Sequence, residues 1–321
     1  MDTTGLSSFA DPLGEALHYL RMDGVFYCHS ELTAPWGARM PALADCLMFH
    51  MVTSGRCWLE LDGAGSRWLH PGDFALVSCL PQGRTHNLLH EPGADAPDLF
   101  SLPRQMVSER YEVLRHGGGG APTRLVCGAV RFDHPAARQL VALLPPVIAI
   151  EAGEVPHDEG CQTMLRFMAD EARTLRPGGE AVITRLADIV VIQAIRHWVQ
   201  HDPAAQTGWL GALQDRRIGR AISLMHRSPA QVWTVESLAQ ASAMSRSAFA
   251  QRFAALVGQG ALQYLTQWRM TLAQAWLAQG STIADVAART GYQSESAFSR
   301  AFKRSVGVAP GAVARAGRPA L

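Results

Sequence analysis

One helical pattern occurs twice in the last hundred residues of this 321-residue chain, and it constrains the fold more than any other feature. The first copy is Val235, Leu238, Ala239, Met244, Ser245, Phe249, Phe253; the second is Ile283, Val286, Ala287, Tyr292, Ser294, Phe298, Phe302. Phe249 and Phe298 lie 49 residues apart, as do Phe253 and Phe302. Each copy reads as a short amphipathic helix, a tight turn, and a second helix with apolar residues every three or four positions, the spacing of a helix-turn-helix. Thr234 suits an N-cap with Glu236 in the first turn, and Ser245 caps a helix of roughly residues 246–257. In the second copy Ser281 or Thr282 caps one helix, and Ser294 or Glu295 begins another that runs to about Val306.

The aromatic residues take the inner faces of these helices. That leaves Arg246, Ser247, Ala250 and Gln251 outside on the first, and Glu295, Ser296, Ser299, Arg300 and Lys303 outside on the second. Arg and Gln can pair with guanine and adenine edges, and Ser with phosphate. Residues 261–279 join the copies as one helix of roughly 28 Å at ~1.5 Å per residue. That is comparable to the ~34 Å between successive major grooves. The partner this predicts is double-stranded DNA.

Charge segregates in the same sense. Residues 215–321 carry 13 Lys+Arg against 4 Asp+Glu, whereas residues 1–214 carry 16 against 24. A basic C-terminal part on an acidic body points to a polyanion at one end only. Lys303 is the single lysine, so almost every cation is an arginine able to form bidentate forks. No apolar run reaches the ~20 residues that span a bilayer. The N-terminus lacks the basic start and apolar stretch of a signal peptide, and the six cysteines form no CxxC pair. The expectation is a cytoplasmic protein with reduced thiols and no membrane partner.

From about Gly24 to Arg131 the chain is short apolar runs (Cys46–Val52, Cys57–Leu61, Phe74–Val77, Leu125–Val130) broken by Ser54-Gly55, Asp62-Gly63 and Pro71-Gly72-Asp73. That pattern predicts an antiparallel barrel or sandwich. Gly117–Gly120 reads as a flexible loop within it. After Pro135 the period becomes helical over 136–145, 160–174 and 180–200, the last apolar on more than one face. It serves either the domain core or self-association as a homodimer. Asp202–Gly208 reads as a linker, giving provisional bounds of 1–135, 136–201, 202–214 and 215–316.

Residues 215–316 resemble the DNA-binding domain of AraC-family transcriptional regulators. The matching text includes Trp233–Ala239, Met244-Ser245-Arg246-Ser247, Ile283–Ala287, Gly291-Tyr292, Phe298–Lys303 and Gly307 before Pro310. Ala309–Val313 departs from the family's usual Pro-x-x-Tyr-Arg ending. The N-terminal half resembles the cupin-type sensor of one AraC branch, through Phe49–Val52, Gly55–Leu59, Pro71–Phe74 and Pro81-Gln82-Gly83-Arg84-Thr85-His86. The resemblance implies an α+β chain: a cupin-like β-barrel with a following helical segment, then an all-α domain with two helix-turn-helix units. It further implies promoter binding, contact with RNA polymerase, no enzymatic activity, and a barrel that senses a small molecule, a metal or an oxidant.

Pro-x-Gly-x-x-His is one of two cupin metal motifs, which makes His86 a possible metal ligand, with His50 in the comparable strand region; the His-x-His motif is absent. Cys28 or Cys127 is a candidate thiolate partner to these histidines, or the two form an oxidant-responsive pair; the alternative is that they are inert buried thiols. A cupin metalloenzyme carrying a DNA-binding domain is the alternative reading.

Overall fold

The computed structural model describes residues 14, 22–43, 46–79, 85–132, 141–152, 159–174, 176–206 and 208–316. The lead-in before Met22 (Gly14 excepted), the Pro81–Arg84 part of the cupin-like motif, and 136–140 of the first expected helix lie outside them. The chain divides into two compact units between Trp198 and Val199.

The first unit is built on eleven strands in two sheets among the described residues. They are β1 (Met22–Thr33), β2 (Gly37–Met40), β3 (Cys46–Ser54), β4 (Cys57–Leu61), β5 (Gly65–Leu69), β6 (Phe74–Ser78), β7 (His86–Leu89), β8 (Arg104–Met106), β9 (Tyr111–Gly117), β10 (Pro122–Phe132) and β11 (Val147–Ile150). One sheet runs β11-β6-β3-β10-β1-β9-β8 and the other β2-β7-β4-β5. All pairings are antiparallel except β1 with β9, which is parallel.

Strand alternation assigns the inner face. On β4, Cys57, Leu59 and Leu61 are buried while Trp58 and Glu60 are only partly so, the period-two signature of a half-buried strand. The core draws on both sheets: Cys28 and Leu32 of β1, Met48 and Val52 of β3, Leu59 of β4 and Leu88 of β7 pack into one cluster. Gly128 on β10 leaves room for an aromatic ring, since a Cβ there would lie 2.6 Å from the Phe49 ring. The glycine run expected to be loose is tied down. Gly118 N–H donates to the Thr33 carbonyl at 3.0 Å, Gly119 N–H to Thr33 Oγ1 at 3.0 Å, and Gly120 N–H to the Ala34 carbonyl at 2.8 Å.

Helices α1 (Glu159–Thr174) and α2 (Gly179–His201) follow the strands. α2 buries Ile183, Ala187, Val190, Val191, Ala194 and Ile195, so most of its apolar surface is domain core. Ile189 stays 40% exposed and Phe167 of α1 52%.

The second unit is helical. The segment read as a linker contains a 3-10 turn (Pro203–Gln206) and helix α3 (Gly208–Gln214), whose Trp209 is buried and donates its indole N–H to the Tyr264 hydroxyl at 2.7 Å. Then come α4 (Arg216–Arg227), α5 (Val235–Ala241), α6 (Arg246–Val257), α7 (Ala261–Ala278), α8 (Ile283–Arg289), α9 (Glu295–Val306) and α10 (Pro310–Ala316). The duplication extends to the helix ends. Ser245 caps α6 by accepting from Ala248 N–H, and Ser294 caps α9 by accepting from Ala297 N–H. Gly258 and Gly307 close the same two helices in the left-handed conformation, at φ 79° and 86°. Thr234 forms a capping box with Ser237, and Thr282, not Ser281, caps α8. Phe249, Phe253, Phe298 and Phe302 are fully buried, with ring centroids 5.6 Å apart in the first pair and 5.5 Å in the second.

Candidate functional site

Two places carry chemistry. The first is the outer surface of α6 and α9. Burying Phe249 and Phe253 rotates Arg246, Ser247, Ala250 and Gln251 to the exposed side of α6. The equivalent packing of α9 exposes Glu295, Ser296, Arg300 and Lys303 and leaves Ser299 half-buried.

Sequence position alone does not say which cations are available, but the contacts do. Arg252 is bound to the Asp215 carboxylate, through Nε at 2.7 Å and through a second short bond from its Nη2. Burial acts to raise the Asp215 pKa, but hydrogen bonds from Ile218 N–H, Arg252 and Arg217 N–H bring it below the usual carboxylate range. Arg269 is spent on the backbone carbonyls of Pro229 and Gln231, and Arg289 on Asp285 and the Trp276 ring. The side chains of Arg246, Gln251, Arg300 and Lys303 make no hydrogen bond or ion pair among the described residues. Arg304, on the last turn of α9, is an exposed cation that the periodic reading passed over.

The second place is inside the sheets, where register brings together residues far apart in sequence. Cys28 pairs with Cys127 across β1 and β10, Cys127 with His50 across β10 and β3, and Cys28 with Glu112 across β1 and β9. One row across four strands therefore reads Glu112, Cys28, Cys127, His50. His86 reaches this row from the other sheet. His50 Nε2 lies 2.7 Å from His86 Nε2, and His50 Nδ1 lies 3.2 Å from Cys127 Sγ. Cys28 Sγ is 3.5 Å from Ser30 Oγ. All four candidate residues are buried, at 1% exposure for each histidine, 2% for Cys28 and 6% for Cys127.

Burial sets the charge state. It pushes His86 down to about 3 and, with His86 alongside, pushes His50 well below its usual value. It raises Cys28 to about 12 and Cys127 well above the ordinary thiol range. Two neutral imidazoles satisfy a 2.7 Å nitrogen–nitrogen contact because one supplies an N–H and the other a lone pair. Among the described residues His86 Nδ1 has no hydrogen-bond partner. A buried orphan acceptor is commoner than an orphan donor, which favours the tautomer in which His86 Nε2–H donates to His50 and His50 Nδ1–H points at the Cys127 sulfur.

A resident cupin-type metal does not fit this arrangement. The two nitrogens of His50 face different partners, and among the described residues no three His, Cys, Asp or Glu side chains form a metal-holding group. A cavity of about 20 Å³ adjoins the row, lined by Cys28, Ser30, Trp36, His50, Leu125 and Cys127 among others. That volume admits little more than one water molecule.

A two-sheet body carrying a tandem helix-turn-helix domain defines the class, a DNA-binding transcriptional regulator with a cupin sensor. Residues 11–200 match a cupin family and residues 238–316 a helix-turn-helix domain family. The chain is 35% identical to a protein of Streptomyces lividans described as an AraC-like transcription regulator, over 94% of this chain and 97% of that one. It is 29% identical to the HTH-type transcriptional regulator AlkR of Acinetobacter baylyi, over 94% and 97% of the two chains. Among solved structures, the DNA-binding domain of AdpA in complex with a target DNA is 32% identical, covering 30% of this chain and 87% of that one at a TM-score of 0.29. The chain belongs to the AraC-type transcriptional regulators.

Proposed function

We propose that this regulator reads two adjacent boxes of promoter DNA, one with α6 and one with α9, and that its barrel controls this reading through Cys28, Cys127, His50 and His86. The observation that carries the DNA half is the sorting of cations. Arg246, Arg300 and Lys303 stay uncommitted on two helices that share one cap–aromatic–glycine frame. Gln251, Ser247, Ser296 and Ser299 then serve bases or phosphates, Ala250 offers an apolar contact to thymine methyls, and Glu295 an acceptor for cytosine.

The barrel half rests on the cross-strand row and on the small cavity beside it. So little space suits an oxidant of a few atoms far better than a sugar-sized effector. A two-electron oxidant of the peroxide class balances the step. The Cys127 sulfur takes the oxygen and becomes a sulfenic acid, the oxidant leaving reduced as water, with His50 beside the sulfur to stabilise its thiolate. The Cys28 thiol then displaces the sulfenic oxygen as a second water, leaving a disulfide. High thiol pKa values keep the resting pair slow, which restricts the response to strong oxidants.

The barrel is a sensor and no enzyme, the protein works in the cytoplasm, and it acts as a homodimer that contacts RNA polymerase. The exposed Ile189 and Phe167 support self-association through the helical segment. The parts keep their order, but of the expected bounds 1–135, 136–201, 202–214 and 215–316 two borders move, because β11 (Val147–Ile150) belongs with the barrel and α3 (Gly208–Gln214) with the DNA-binding domain. The test is genome-wide binding of the wild type with and without oxidant. Specific sites whose occupancy changes support the proposal, and uniform coverage of random and promoter duplexes refutes it.

A further inference from the structure

Besides the connector α7, which packs on both heads, a short segment between α4 and α5, Ser228–Gln231, ties them together. Three parts of the domain grip it. From the first helix-turn-helix, the Trp233 indole N–H donates to the Ser228 carbonyl at 3.0 Å. From the connector α7, Arg269 donates Nε to the Pro229 carbonyl at 2.7 Å and Nη2 to the Gln231 carbonyl at 2.9 Å. From the second helix-turn-helix, the turn after α8 presses Gly291 onto the Ala230 carbonyl. Gly291 sits at φ 79°, and a Cβ there would land inside contact distance of that oxygen. Arg269 is half-buried and its guanidinium is held by these two carbonyls, so it is withheld from DNA.

We infer that Arg269 and Gly291 are positioning residues that fix the separation and phase of the two boxes the protein accepts. The inference rests on the two-headed reading above. Neither residue lies on an outer recognition face. Their action runs through effective concentration: a rigid domain presents its second head at one distance and one rotation, so the matched spacing gains and all others lose. Inserting one base pair turns the second box by roughly 35° and moves it about 3.4 Å, enough to misplace a rigid head.

The experiment uses the full-length chain and duplexes selected by the wild type from a random pool, then re-made with one and two extra base pairs between boxes and with either box scrambled. Arg269→Met keeps the aliphatic stem and removes the clamp, while Arg269→Lys restores part of it. Wild type should lose about tenfold or more on a one-base-pair insertion, comparable to a mismatched base pair. Arg269→Met should lose affinity at the native spacing, lose several-fold less on insertion, and match the wild type on single-box duplexes. Arg269→Lys should fall between them, and Gly291→Ala should follow Arg269→Met where its thermal melt shows a folded domain. Spacing discrimination in folded Arg269→Met equal to that of the wild type overturns the inference. Indifference of the wild type itself to scrambling one box refutes the two-headed reading instead, and the inference falls with it.

Discussion

Arg300 and Phe302 sit two residues apart on α9, yet the structure assigns them opposite consequences when each becomes alanine. Phe302 is fully buried against Phe298 at a centroid distance of 5.5 Å. Truncating a buried phenylalanine costs about 3–5 kcal/mol. A domain stabilised by about 5–15 kcal/mol loses much of its margin, and the second head melts. Arg300 is exposed and has no partner among the described residues, so its removal changes folding stability by no more than about 0.5 kcal/mol. Its loss should fall on DNA binding: about 1–3 kcal/mol, or roughly 5- to 150-fold, if it forks onto a guanine. Thermal denaturation of both variants, followed by titration against the selected operator and single-base variants of it, separates the two. Arg300→Ala should melt like the wild type, bind weakly and blur preference at one base pair. Wild-type affinity with an unchanged base preference would refute the placing of α9 in a groove.

Three further outcomes are expected. The folded-state pKa values of His50 and His86 lie below the unfolded value, so their contribution to stability is full above pH 6.5 and is lost as pH falls below it, for His86 down to about 3. The unfolding free energy read from denaturant melts should drop by up to about 1.4 kcal/mol per pH unit for each histidine below pH 6.5, and His86→Leu should flatten the slope. Cys28→Ser and Cys127→Ser should each bind operator normally without oxidant and lose the oxidant response together, with mass spectrometry showing the Cys28–Cys127 disulfide only in the wild type. Gly128→Ala should destabilise the barrel by about 1–3 kcal/mol by pushing the Phe49 ring, while operator binding by whatever remains folded is unchanged; an unaltered melt would show that the ring yields freely.

The helical domain was legible from sequence because its determinants are local. Caps, period and aromatic spacing act within a dozen residues, and both copies of Ser–Phe–Phe–Gly carry the same signals. For the same reason the exposed faces of α6 and α9 fall out of the core pattern by subtraction. Less local features escaped. The segment 202–214 reads as a linker from its polar start, yet Trp209 folds part of it onto Tyr264, 55 residues away. Four glycines suggest a loose loop, but the carbonyls they need belong to Thr33 and Ala34 on another part of the chain.

Residue order by itself determined a basic, duplicated, helix-turn-helix domain behind a strand-rich acidic body, because propensity and periodicity are short-range properties. Only tertiary structure decided which arginines are left over. Asp215 takes Arg252 and the Pro229 and Gln231 carbonyls take Arg269, 37 to 40 residues away. Tertiary structure likewise turned four scattered residues into one site. His50 and Cys127 are 77 positions apart and meet through strand register, while His86, 36 positions from His50, reaches them from the other sheet. Register is set by the summed burial of whole strands, and a slip of one residue would turn every one of these side chains to the opposite face.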